Sequence, residues 1–217
     1  MALVKTTDML ADCKAKKYAV GAFNINGLDQ PQALIRRAEE LGSALIVVEP
    51  GVIEKYVNFE DFVAVTKRAA RDTKIPVSIH LSHGLDLEQV ERAVKAGFTS
   101  VMYDGSKFSF EENVENTRRA VEIGHKYGVA VEGELGALGS SFVDISETMT
   151  DPEKAREFVA RTGVDLLAVS IGNSHGFYKG VPHLDFKRLA EIREVIKDYP
   201  CYLTLHGGSG ISNEGFR

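Results

Sequence analysis

The feature that most constrains the fold is an alternation along the chain. Short β-branched runs are separated by amphipathic stretches at a spacing of roughly 25 to 35 residues, as repeated βα units require. The pattern predicts strands at 19–25, 44–49, 76–81, 100–104, 129–135, 166–171 and 202–206. Helical patterns fall between them at 29–42, 59–73, 86–97, 110–127, 151–162 and 185–198, and a short helix at 5–16 precedes the first strand. Gly42, Gly97, Gly128 and Gly163 each close a helical pattern just before a strand, where a left-handed C-terminal cap belongs. Asp86 and Thr150-Asp151-Pro152 mark helix starts, as a capping side chain and a first-turn proline do.

Units of this kind close into an α/β (β/α)8 TIM barrel, which usually takes ~250 residues. Seven strands are visible in 217 residues, and Arg217 falls inside what should be the seventh helix. The expectation is one barrel-type domain over 1–217, truncated before its eighth strand.

Charge and cysteine usage narrow the class further. A net charge of −5 provides no basic face for nucleic acid. No apolar run approaches the ~20 residues of a membrane span, and Met1 to Lys5 lack the apolar core of a secretion signal. Cys13 and Cys201 are isolated thiols, which suits a reducing cytoplasm.

Strand parity brings polar groups onto one face. Ser78, His80 and Ser82 alternate with Val77, Ile79 and Leu81; Glu132 and Glu134 with Val131, Gly133 and Leu135; Thr204 and His206 with Leu203 and Leu205. Polar groups at strand C-terminal ends are where active sites of this fold sit. His83 follows the third strand, His175 the sixth, and His206 lies on the seventh. Three neutral imidazoles leave Zn2+ its full charge and an open position. Singly, each reads more readily as a structural histidine; their joint placement at strand ends brings the metal reading level with it.

The motifs add a resemblance. His80-Leu81-Ser82-His83-Gly84 is similar to the His-Leu-Asp-His-Gly motif of class II, zinc-dependent ketose-bisphosphate aldolases of the fructose- or tagatose-bisphosphate type. Ala22-Phe23-Asn24, Tyr103-Asp104-Gly105-Ser106, Val131-Glu132-Gly133-Glu134-Leu135-Gly136, Thr150-Asp151-Pro152, Gly163-Val164-Asp165, Ala168 through Gly176 and Leu205-His206-Gly207-Gly208-Ser209-Gly210 follow in family order. The resemblance covers essentially the whole chain.

It implies reversible aldol cleavage of a ketose phosphate to dihydroxyacetone phosphate and an aldehyde, through a zinc-stabilised enediolate. Its ligands would be His83, His175 and His206, with Asp104 and Glu134 able to approach the metal in alternative positions. One catalytic Zn2+ is implied, with a monovalent cation as an optional second ion. Gly176, Gly207, Gly208 and Ser209 match the part that binds the dihydroxyacetone-phosphate half and its phosphate, and Asn24 a residue near the substrate. The partner expectations are a small sugar phosphate and a homodimer or homotetramer, without nucleic acid or membrane.

The departures are as informative. Ser82 stands where the family has its acid/base Asp, and a serine hydroxyl is far too weak a base to replace it. General acid–base catalysis is typically worth ~10²–10⁴-fold, so impaired cleavage is expected. The alternative is a catalytically inactive paralogue that binds zinc and sugar phosphate, or a substrate-trapping variant. Glu49-Pro50-Gly51 replaces the family's Ser or Thr before its turn. That carboxylate is expected to be a solvated strand-end acid, with a base acting from another direction as the second reading. Residues 137–149 fit a mobile loop after the fifth strand, shorter than in close relatives. The family's second phosphate segment follows an eighth strand and is missing from these 217 residues. His80 is expected inside the barrel with a satisfied hydrogen bond, and His125 and His183 at the surface.

Overall fold

A computed structural model describes residues 3–136, 149–176, 178 and 182–216. Among the described residues seven α-helices and seven strands alternate: α1 (Thr6–Lys16), β1 (Gly21–Asn24), α2 (Gln30–Glu40), β2 (Leu45–Pro50), α3 (Phe59–Ala69), β3 (Val77–Gly84) and α4 (Leu87–Ala96). Then come β4 (Ser100–Tyr103), α5 (Phe110–Lys126), β5 (Ala130–Leu135), α6 (Pro152–Thr162), β6 (Leu166–Val169), α7 (Phe186–Val195) and β7 (Tyr202–Thr204). The chain forms two compact units. The first comprises 1–104 with 119–131, the second 105–118 with 132–217.

In the first unit β1, β2, β3 and β4 pair in chain order, all parallel. Register shows which residues share a face: Val47 lies beside Ile79 and Glu49 beside Leu81, while Val48 lies beside His80 and Pro50 beside Ser82. The apolar set is fully buried, and a Cβ on Gly84 would reach both Leu81 and Val90 of α4, so this is the helix-covered face. The opposite face receives α1, whose Met9 and Cys13 pack on Ala44, Ile46 and Val48. Beneath α1 the hydroxyls of Thr6, Ser78 and Thr99 bond to one another at 2.6 to 3.2 Å. His80 is buried with Nδ1 2.8 Å from Ser100 Oγ, as expected of an interior histidine.

The second unit follows the same rule. Parallel β5, β6 and β7 place Glu132 beside Leu166 and Glu134 beside Ala168, with Thr204 next in line. A Cβ on Gly133 would meet Thr117 of α5 and Phe158 of α6 at about 3 Å, which marks the helix-covered face there. Glu132, Glu134 and Thr204 therefore share the opposite face.

Local chemistry sets the helix limits. Asn58, Asp86, Asp151 and Asp185 each accept a backbone N–H three residues on, satisfying one of the donors a helix start leaves open. Gly42, Gly97, Gly128 and Gly163 all take positive φ, as the cap pattern predicted.

Strand ends depart from the sequence expectation. β3 runs on to Gly84, so His83 is inside the strand rather than after it. β7 stops at Thr204, so His206 lies beyond the strand rather than on it. His125 and His183 are exposed, as expected. Residues 137–148 of the expected loop lie outside the described residues. No described helix is long and apolar enough to cross a membrane.

Candidate functional site

The end of β3 carries an irregular backbone. Pairing with β4 jumps from Leu81–Val101 to Gly84–Tyr103, so two residues on β3 oppose one on β4. His83 sits in this bulge at φ 50°, a left-handed conformation that costs an L-residue roughly 1–2 kcal/mol. Its N–H donates to Met102 Sδ at 3.3 Å. The bulge re-aims the ring so that Nδ1 lies 2.8 Å from Asp104 Oδ2, beyond the end of β4. Ser82, just before it, is buried on the face of Ser78 and His80. Asn24 ends β1 on that same face, beside Val48, and is exposed.

Glu49 corrects a sequence expectation. It is 0% exposed, not solvated, and neither carboxyl oxygen finds a hydrogen-bond partner among the described residues. Burial, with Glu54 and Glu60 facing it, pushes its pKa up to about 8. Register puts it beside Leu81 on the helix-covered face, the side opposite Ser82. Glu49 is therefore neither a strand-end surface acid nor a base that reaches over from another direction. A charge at a strand end reads as exposed from sequence, because helix cover is invisible there.

In the second unit His175 and His206 come together edge to face, with ring centroids 5.8 Å apart and an interplanar angle of 84°. Two imidazoles on one tetrahedral ion place their centroids roughly 5 Å apart, given metal–nitrogen bonds of ~2.0–2.1 Å. The pair fits a metal with little adjustment. His206 Nε2 lies 2.7 Å from Glu132 Oε1, and the same oxygen accepts the Thr204 hydroxyl at 2.8 Å. Glu132 is thus a site residue that sequence reasoning passed over in favour of Glu134; its shared face with Thr204 and His206 was the available signal. Glu134 is buried on the same face, and its carbonyl accepts Asn113 Nδ2 at 2.8 Å.

Gly207 has φ 71°, and a Cβ there would stand 2.2 Å from the Ser174 carbonyl oxygen. Gly208–Gly210 form a single 3-10 turn that leaves Ser209 exposed, and Gly176 is exposed at φ 84°. Two further residues knit this region: Asn173, inside the 168–176 motif but given no role in the sequence analysis, and Tyr178 just beyond it, whose hydrogen bonds run between the His175 loop and the His206 segment.

Parallel βα units with histidines and glycines gathered at or beyond the strand C-terminal ends define an α/β protein of the barrel type, with its candidate site where sites of that fold sit. The comparisons agree. The chain matches class-II fructose-bisphosphate aldolase over residues 4–217, and it belongs to that family. It is 44% identical to the probable fructose-bisphosphate aldolase of Bacillus subtilis (strain 168), over 97% of this chain and 75% of that protein. With the fructose-bisphosphate aldolase of Geobacillus stearothermophilus it shares 43% identity, over 99% of this chain and 76% of the relative. Among solved structures, the YdjI aldolase of Escherichia coli K12 superposes with a TM-score of 0.86 at 36% identity, covering 98% of this chain and 75% of that one. A putative fructose-1,6-bisphosphate aldolase from Coccidioides immitis gives 0.84 at 32% identity, covering 94% and 73%. The chain therefore has an α/β fold of the TIM-barrel type with seven strands and an aldolase-type function, in a family that is generally metal-dependent and acts on sugar phosphates.

Proposed function

We propose that the protein binds one Zn2+ through His83, His175 and His206 and acts on a ketose bisphosphate, with cleavage limited by Ser82. The observation that carries this reading is a recurrence: His83 on Asp104 and His206 on Glu132, each an imidazole keyed by a carboxylate near a strand end. Such partners fix ring orientation and tautomer and raise ligand basicity. When bound, a divalent ion supplies Lewis-acid polarisation of a ketose carbonyl.

The other groups then take defined parts. Asp104 Oδ2 holds His83 Nδ1, which turns Nε2 toward a ligand; Glu132 holds His206 Nε2 and leaves Nδ1 for that role. Asp104 and Glu134 remain acids that can approach the ion. Backbone N–H groups around Gly176, Gly207 and Gly208, with the Ser209 hydroxyl, suit a phosphate, because a chain without Cβ lets an anion approach closely. Asn24 offers an amide to the substrate from the face it shares with Ser82.

Carbon–carbon cleavage also needs a base to take the proton of the hydroxyl next to the breaking bond. The Ser82 hydroxyl can hold that group by a hydrogen bond but cannot take the proton unaided. A binding protein without cleavage is the second reading, and Ser82 is the residue that favours it.

Metal analysis of protein purified without chelator should give about one zinc per chain; none after reconstitution rejects the ligand set. Assays with fructose and tagatose bisphosphates should show slow cleavage, and Ser82→Asp should raise the rate by ~10²–10⁴-fold. An unchanged rate in a folded, metal-loaded Ser82→Asp protein would show that residue 82 is not the proton-transfer position.

A further inference from the structure

Asn173 is 1% exposed and makes three hydrogen bonds, all to backbone. Its Oδ1 accepts the Ile171 N–H at 2.8 Å, while Nδ2 donates to the Val169 carbonyl at 3.3 Å and to the His206 carbonyl at 3.1 Å. Tyr178 completes the connection from the other side of His175. Its hydroxyl accepts the Ser174 N–H at 3.0 Å and donates to the Gly207 carbonyl at 3.1 Å. The Tyr178 ring also fills the space where a Cβ on Gly210 would stand, at 2.3 Å. Gly207 and Ser174 approach so closely that only glycine fits at 207. Three ties thus bracket His175 and reach both the His206 carbonyl and its neighbour Gly207.

We propose that Asn173 and Tyr178 are positioning residues that lock the His175 loop to the His206 segment, so that two imidazoles meet a metal at a fixed angle. The inference rests on the metal site proposed above. Neither side chain is placed as a ligand; both act through the backbone that carries the ligands. The Tyr178 hydroxyl is amphoteric and serves one donor and one acceptor, a task phenylalanine cannot take over. Asparagine at 173 is equally specific. An aspartate would keep the bond from Ile171 but set a carboxylate oxygen against two carbonyls.

The test is a competition titration of zinc, with the absorption spectrum of the Co2+-substituted protein, on wild type, Tyr178→Phe, Asn173→Asp and Thr162→Ala. Thr162→Ala is the control, removing a buried hydrogen bond to the Phe158 carbonyl within α6. Tyr178→Phe and Asn173→Asp should each weaken metal binding about 10- to 100-fold, as loss of groups that orient ligands does. The Co2+ bands should shift, while Thr162→Ala lowers only the melting temperature. The two variants remove different bonds, so either one that folds carries the test. If wild type binds metal and the variants bind equally well, or Thr162→Ala weakens binding as much as they do, the positioning role is overturned. A wild type that binds no metal overturns the site itself.

Discussion

A carboxyl group enclosed by packed helix cover, facing two other acids, keeps its proton, and Glu49 does so with a pKa of about 8. The unfolded chain releases that proton near the ordinary value of 4.5. Between these limits the folded state holds one proton more than the unfolded state. The stability tied to Glu49 is therefore complete below about pH 4.5, falls as pH rises toward about 8, and is lost above it. Glu49→Met should stabilise the protein at pH 8 by roughly 1–3 kcal/mol, the cost of a buried polar group left without partners. It should also flatten the decline of urea stability between pH 5 and 8; a variant with the same slope as wild type would contradict this. Ser82 is the complementary case, a small neutral group buried on the opposite face. The letters at 49 and 82 were legible in the sequence, but their faces were settled by register, Glu49 beside Leu81 and Ser82 beside Pro50.

Elements were easier to read than their ends. β-branched runs and cap glycines located all seven strands because period and cap chemistry are local. How far a strand persists depends on its neighbour, which no local pattern contains. Tyr103 still pairs with Gly84, so β3 outlasts its apolar run, whereas β6 and β7 leave the ladder early. The β3 bulge is the costliest of these ends. It holds His83 in a left-handed conformation that glycine adopts freely and alanine does not. His83→Gly and His83→Ala both lose the imidazole, so their difference isolates the backbone. His83→Gly should be the more stable by ~1 kcal/mol in urea unfolding. Equal midpoints would mean that the bulge carries no such strain. Asn173 and Tyr178 escaped sequence reading for a related reason: their partners are backbone groups up to 33 residues away, and side-chain type alone does not name such partners.

At the scale of the molecule, the parity rule holds in both units: apolar residues toward the helices, and on the opposite face the Ser78–His80–Ser82 run, Glu132, Glu134 and Thr204, with the site histidines at or just past the strand ends. The barrel class was legible because that alternation repeats over the entire chain, while the division into two units cuts through α5 and β5 and leaves no mark in composition. The two thiols follow the division. Cys13 is on the buried side of α1 in the first unit, and Cys201 is buried before β7 in the second, with burial pushing its thiol pKa up to about 12. Neither should react with a thiol reagent in native buffer, and both should react in denaturant; rapid native labelling would contradict the packing described. The arrangement gives the protein a pair of intrinsic stopwatches. Peptide mass mapping of each labelled cysteine, as denaturant rises, times the opening of each unit separately, with no probe added and no residue changed.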